Sequence, residues 1–240
     1  MGFIAGGINT LAGGGSNLSL PMLMVMGLPA DVANATNRVA VLMQCIVGVV
    51  GFDRNQALDR PAIRPILAPT LAGGSAGALA AALMPNLYLK PILLLTLLLM
   101  SLLILLKPII ISPPTNAPTL SPNQDRRAWW GLFAAGVYGG FVQAGVGFIL
   151  LAALAGGLRY DLIRANALKM LCTLAFTLVS VGIFLIFDLI AWLPGLILAG
   201  GNMAGAYLMV KFAVRSTQST LKWSVFAMTL IAVVASFYVG

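Results

Sequence analysis

Two cations stand where an apolar sequence should carry none. Arg38 and Lys169 each lie about eight residues inside a long apolar run, roughly 12 Å deep at 1.5 Å per residue. A charge at that depth is costly in hydrocarbon and marks a pathway or a site, unless its long side chain snorkels back to an interface. Neither cation stands alone. On helical spacing Asn34, Asn37, Arg38 and Gln44 share one face, and Asn166, Lys169, Thr173 and Thr177 share another. The six acids are all Asp, each near the end of an apolar segment, and the chain has no Glu and no His. Cations set among amides and hydroxyls, with no carboxylate to neutralise them, have the chemistry to hold an anion.

Ahead of each cation lies an apolar segment broken by glycine. Gly13, Gly14 and Gly15 stop one half-helix, and Ser16, Asn17 and Ser19 open the next. Glycine reaches φ > 0 freely, and a new helix begins with N–H groups that have no intrahelical partner. Lipid offers those donors nothing, so a break at mid-depth survives only against protein or a wet cavity. Its free amides and dipole then attract an anion. Gln143, Gly145 and Gly147 repeat the pattern ahead of Lys169. The candidate substrate-binding set is therefore Gly14, Gly15, Ser16, Asn17, Asn34, Asn37 and Arg38 from one half of the chain. Gln143, Gly145, Gly147, Asn166 and Lys169 join it from the other half. Helix packing through small residues is the competing reading of either break alone. Two breaks at matched positions favour a site.

The elements that position these residues follow from composition. The chain of 240 residues is 60% hydrophobic and 8% charged, against roughly 25% charged in a soluble domain. It lacks the polar surface to cover itself in water, so it is an all-α integral membrane protein. Its net charge is +8, but the basic residues sit at the ends of apolar runs and form no stripe. They read as topology signals and lipid anchors, with no nucleic-acid partner. Six segments have the roughly 20 residues that a crossing needs. They run near Ala30 to Phe52, Ala62 to Met84, Tyr88 to Leu106, Asp161 to Phe187, Leu189 to Val210 and Thr220 to Val239. Trp129, Trp130, Trp192 and Trp223 lie near segment ends, as an interfacial belt would.

The segment from Lys107 to Arg127 carries five prolines and cannot be a helix. It separates a first transmembrane repeat, residues 1–106, from a second, residues 128–240, with residues 107–127 as a cytoplasmic linker. The halves match in order. ANATN from Ala33 answers ANALK from Ala165, and LAGGSAGALAA from Leu71 answers LAGGNMAGAYL from Leu198. AGGGSNLSLPML from Ala12 answers QAGVGFILLAAL from Gln143. The glycine pairs Gly73 and Gly77, and Gly201 and Gly205, read as helix contacts. Arg54, Arg60 and Arg64, then Lys107, Arg126 and Arg127, then Lys211, Arg215 and Lys222 mark three cytoplasmic loops. Basic residues flank the second broken segment on both sides, so it enters and returns as a hairpin. The fold expected is thus two inverted repeats, each a Gly-broken re-entrant hairpin plus three transmembrane helices, an arrangement typical of secondary transporters.

An enzyme or a metal centre finds no inventory here. There is no His, no Glu and no paired cysteine, since Cys45 and Cys172 lie within apolar runs. No cofactor is expected, and GGGSN lacks the lysine of a phosphate loop. Asp31 and Asp161, ahead of the ANATN and ANALK runs, read as helix N-caps.

GGINTLAGGGSNLSLPML, GLPADVANATN and ANALKMLCTLAF together resemble the sulfite exporter TauE/SafE family across essentially the whole chain. The resemblance implies a multi-pass protein of the bacterial inner (plasma) membrane that exports small sulfur-containing anions, such as sulfite or an organosulfonate. Its partners would be that anion and the lipid bilayer, with a homodimer left open. An anion channel or the permease subunit of a larger complex is the rival reading.

Overall fold

In hydrocarbon a backbone must satisfy its own hydrogen bonds, which leaves apolar runs the helix as their form. The computed structural model describes residues 1–106, 119–122, 126–217, 219–221, 223–224 and 226–228. Every regular element among them is helical. The first half runs α1 (Gly2–Leu11), α2 (Ser16–Val25), α3 (Ala30–Arg54), α4 (Ile63–Leu83) and α5 (Asn86–Leu106), with a 3-10 turn at Arg60–Ala62 before α4. The second runs α6 (Arg126–Phe141), α7 (Val146–Leu151) continuing through a π-helical stretch Ala152–Gly157, then α8 (Leu162–Ile186) and α9 (Trp192–Arg215). Helices α3, α4 with its preceding turn, α8 and α9 are long and apolar enough to cross a membrane. Most of the span expected near Thr220 to Val239 and most of the central linker lie outside the described residues.

Three boundaries differ from expectation. Arg126 and Arg127 belong to α6 rather than to the linker, because no proline follows Pro122 to stop the helix. Helix α9 starts at Trp192 and reaches Arg215, later at both ends than Leu189 to Val210. Its Pro194 lies in the first turn, where a missing N–H breaks no intrahelical bond. Asp161 is the N-cap of α8, taking the N–H groups of Ile163 and Arg164 at 3.0 Å each. Asp31 is not a cap. Pro29 holds that position, and Asp31 in the first turn takes the N–H of its neighbour Val32 at 2.7 Å.

The halves interlock rather than stand side by side. Helix α1 packs on α9 and α6 packs on α4, while α3 lies against α8 and α9, and α4 against α8. Each half thus places its first half-helix on a span of the other. Glycines make these contacts close. A Cβ on Gly73 would sit 2.1 Å from the Phe133 carbonyl oxygen, and one on Gly205 the same distance from that of Phe3. Facing them, Gly140 lies against Gly74 and Gly6 against Asn202. The two glycine pairs singled out in sequence are helix contacts, held by backbone approach and van der Waals packing.

Candidate functional site

Both broken segments end their first half-helix in the same way. Gly13 has φ +90 and donates its N–H to the Ile8 carbonyl at 3.0 Å. Gln143 has φ 66 and donates to the Tyr138 carbonyl at 3.3 Å. Gly13 therefore corresponds to Gln143, one residue later than the sequence match of Ala12 with Gln143. A left-handed residue other than glycine costs roughly 1–2 kcal/mol. At Gln143 a side chain is retained where glycine would be the less strained choice.

The chain then turns back on itself. A Cβ on Gly15 would lie 1.9 Å from the Ala5 carbonyl oxygen, so the start of α2 rests on the middle of α1. In the second half Val146, at the start of α7, rests against Gly139 of α6. The two breaks meet. A Cβ on Gly13 or on Gly147 would stand 2.2 Å from the Cα of the other. Next to this contact lies a cavity of about 10 Å³, room for about one water. Asn9, Gln44, Gln143, Lys169 and Thr173 line it with the two glycines.

The two cations are arranged alike. They face the C-terminal ends of half-helices, not the N-terminal amides. Lys169 Nζ donates to the Asn9 carbonyl at 3.1 Å, the Thr10 carbonyl at 2.7 Å and Asn166 Oδ1 at 2.7 Å. Arg38 donates through Nη1 to the Gly139 carbonyl and through Nη2 to the Gly140 carbonyl, the latter at 2.7 Å. Asn34 Nδ2 takes the next carbonyl of that helix end, Phe141, at 2.9 Å. The reason is electrostatic: the last carbonyls of a helix lack partners and carry the negative end of its dipole, and in hydrocarbon they need donors. The pattern is reciprocal. Arg38 of the first half caps α6 of the second, and Lys169 of the second caps α1 of the first. Both side chains are at most 1% exposed, so neither snorkels.

The remaining polar residues form short links. Ser19 Oγ donates to Asn37 Oδ1 at 2.6 Å, and Asn166 Nδ2 to the Leu162 carbonyl at 2.9 Å. Gln44 Oε1 accepts from Asn202 Nδ2 at 3.1 Å and from Asn9 Nδ2 at 3.4 Å. Gln143 Nε2 reaches Thr177 Oγ1 at 3.4 Å. Asn9 was absent from the sequence-derived set, although it sits in the last turn of α1, one turn ahead of the break. Asn202, within the packing motif of Gly201 and Gly205, hydrogen-bonds to Gln44 of the cavity wall.

Other polar atoms have no partner. Among the described residues these are Ser16 Oγ, both amide atoms of Asn17, Asn34 Oδ1, Asn37 Nδ2, Arg38 Nε, Gln143 Oε1 and Asn202 Oδ1. All belong to residues at most 1% exposed. Each such atom costs about 1–3 kcal/mol of desolvation, and native proteins tolerate few of them. With the exception of Asn202, every one belongs to the set that sequence reasoning named. The N–H groups of Gly14, Gly15 and Ser16 also reach no protein acceptor among the described residues. Carboxylates are absent from this region, and no cluster of three His, Cys, Asp or Glu residues occurs among the described residues. Cys45 and Cys172 are free and buried.

Comparison with known proteins agrees with this architecture. A probable membrane transporter protein of Haemophilus influenzae is 25% identical over 249 residues, covering 99% of this chain and 92% of the relative. No solved structure matches. The family model for the sulfite exporter TauE/SafE matches residues 1–236. A helical, apolar chain with glycine-broken half-helices meeting in its interior, matched from end to end by that model, is a membrane transporter and belongs to the TauE/SafE family.

Proposed function

We propose that this protein is a secondary transporter that exports a small sulfur-containing anion, such as sulfite or an organosulfonate, across the bacterial inner membrane. The anion binds where the two breaks meet. One observation carries this reading: the buried, unpartnered polar atoms of Ser16, Asn17 and Gln143 belong to the segments that touch at Gly13 and Gly147. The free amides at the start of α2 supply further donors, and Asn34, Asn37 and Asn166 flank the site. Arg38 and Lys169 hold the half-helices in place and leave the region net positive. A cavity of about 10 Å³ is too small for a sulfite ion, so the half-helices must part to admit one. Paired hairpins on opposite faces suit that motion, because each can open toward its own side.

Counter-transport tests the function. Liposomes containing this chain alone, loaded with unlabelled sulfite, are expected to accumulate radiolabelled sulfite, saturably and faster than unloaded vesicles. Flux linear in concentration, with no stimulation from the far side, would identify an anion channel. No flux without another protein would identify a permease subunit.

Inversion of the repeats is a separate claim. It is supported by the reciprocal packing of α1 on α9 and α6 on α4 and by the basic loops. In a chain carrying Cys45→Ala and Cys172→Ala, Met26→Cys and Gly156→Cys place thiols at the far ends of the two hairpins. Met26 is 62% exposed, and a side chain at Gly156 meets nothing within 4 Å. An impermeant thiol reagent is expected to reach Met26→Cys from outside and Gly156→Cys only from inside. Labelling of both from one side would sink the inverted arrangement.

A further inference from the structure

A second feature lies away from the central cavity, on the outer flank of α3 and α9. A groove of about 410 Å³ opens there, with an apolar wall and a cationic mouth. Ile46 and Val50, one turn apart on α3 and more than 40% exposed, form the wall. Gly51 deepens the floor, since a Cβ there would lie 2.8 Å from Val210 Cγ1. At the mouth stand Arg54, in the last turn of α3, and Lys211, near the end of α9. Lys211 Nζ lies over the Tyr207 ring at 4.2 Å, which tethers it beside the groove. Arg54 is exposed and makes no ion pair among the described residues, because the adjacent Asp53 is taken by Arg60 at 3.3 Å.

The lining holds no carboxylate. That absence discriminates between headgroups. A phosphate would find two cations and the phenol of Tyr207, whereas the ammonium of a zwitterionic headgroup would find no counter-ion and two like charges. An acyl chain can follow Ile46 and Val50 into the hydrocarbon, so headgroup and chain are both accommodated. We propose that this groove binds one anionic phospholipid, its phosphate held between Arg54 and Lys211 and one acyl chain along α3. The site is independent of the transport site, and neither Arg54 nor Lys211 touches the central cavity.

Each basic residue near an anionic headgroup contributes about a fivefold gain in affinity. The test is native mass spectrometry of the detergent-solubilised full chain, titrated with phosphatidylglycerol or with phosphatidylcholine of the same acyl chains. One phosphatidylglycerol is expected to be retained with roughly 10-fold or greater preference. The double variant Arg54→Gln, Lys211→Gln is expected to bind both lipids alike. Arg64→Gln, which removes an exposed cation at the start of α4 outside the groove, should keep the preference. All three side chains are exposed, so the variants are expected to fold, and unchanged thermal unfolding checks that. Equal retention of the two lipids by the wild-type chain would overturn the proposal. So would a preference that survives in the double variant or disappears with Arg64→Gln alone.

Discussion

Lys169→Ala is expected to reduce transport at least about 10-fold, and up to about 150-fold, relative to the wild-type chain. The range follows from one charge-assisted hydrogen bond, worth roughly 1.5–3 kcal/mol, and Lys169 makes three contacts. Alanine leaves the Asn9 and Thr10 carbonyls and Asn166 Oδ1 buried without that donor. The end of α1 then carries uncompensated negative charge beside the cavity, where an anion is to bind. Lys169→Arg should recover part of the loss, since a guanidinium keeps charge and donors but not the length or shape of the ammonium. Arg38→Ala should cost less, because Asn34 still holds the Phe141 carbonyl at the end of α6. Arg60→Ala, whose side chain is 76% exposed and pairs with Asp53, should leave turnover near normal. Initial uptake rates normalised to inserted protein decide the series. Wild-type affinity and rate in Lys169→Ala would mean that the lysine has no part in transport.

Gly147→Ala is expected to be as damaging without changing any charge. Its Cβ would lie 2.2 Å from Gly13 Cα, a backbone atom with no rotamer to move. The breaks must separate, and overpacking of this kind costs about 1–3 kcal/mol. Transport should fall about 5- to 150-fold, the range to which that cost converts, while Gly156→Ala and Gly200→Ala should be silent. Added side chains at those two glycines meet nothing within 4 Å. If Gly147→Ala transports normally, the meeting of the two breaks is not where the substrate sits.

Much of the architecture was legible in the residues. Hydrophobic runs of the length of α3, α4 and α8 admit only one regular structure in lipid, and their ends fell within a few positions of those expected. The polar residues of the candidate site stand out in the same way: Asn34, Asn37, Asn166 and Lys169 are conspicuous against an apolar background. Direction was not. Sequence spacing places Arg38 and Lys169 near the breaks, but it does not say which end of which half-helix they meet. Only the interlocking of the halves turns them onto the carbonyls at residues 139–140 and 9–10. Asn9 and Asn202 each look like an isolated amide in a glycine-rich stretch, because their shared partner Gln44 lies on another helix. The equivalence of Gly13 with Gln143 was hidden as well, since pattern matching aligns glycines, whereas the structure aligns positive φ.

Asn17 tests the central claim most directly. Its side chain is 1% exposed, and neither of its amide atoms has a partner among the described residues. A residue kept only for folding should stabilise the protein, and one kept for a ligand should cost stability until the ligand arrives. The measurement is the thermal midpoint of purified wild-type and Asn17→Ala protein, each with and without saturating substrate. Ligand at 100 times its dissociation constant stabilises by about 2.7 kcal/mol, and a tenfold loss of affinity cuts that to about 1.4 kcal/mol. The account predicts that Asn17→Ala without substrate melts no lower than wild type, while its substrate-induced rise is roughly halved or lost. A variant that melts lower without substrate, yet keeps the full substrate-induced rise, would contradict it.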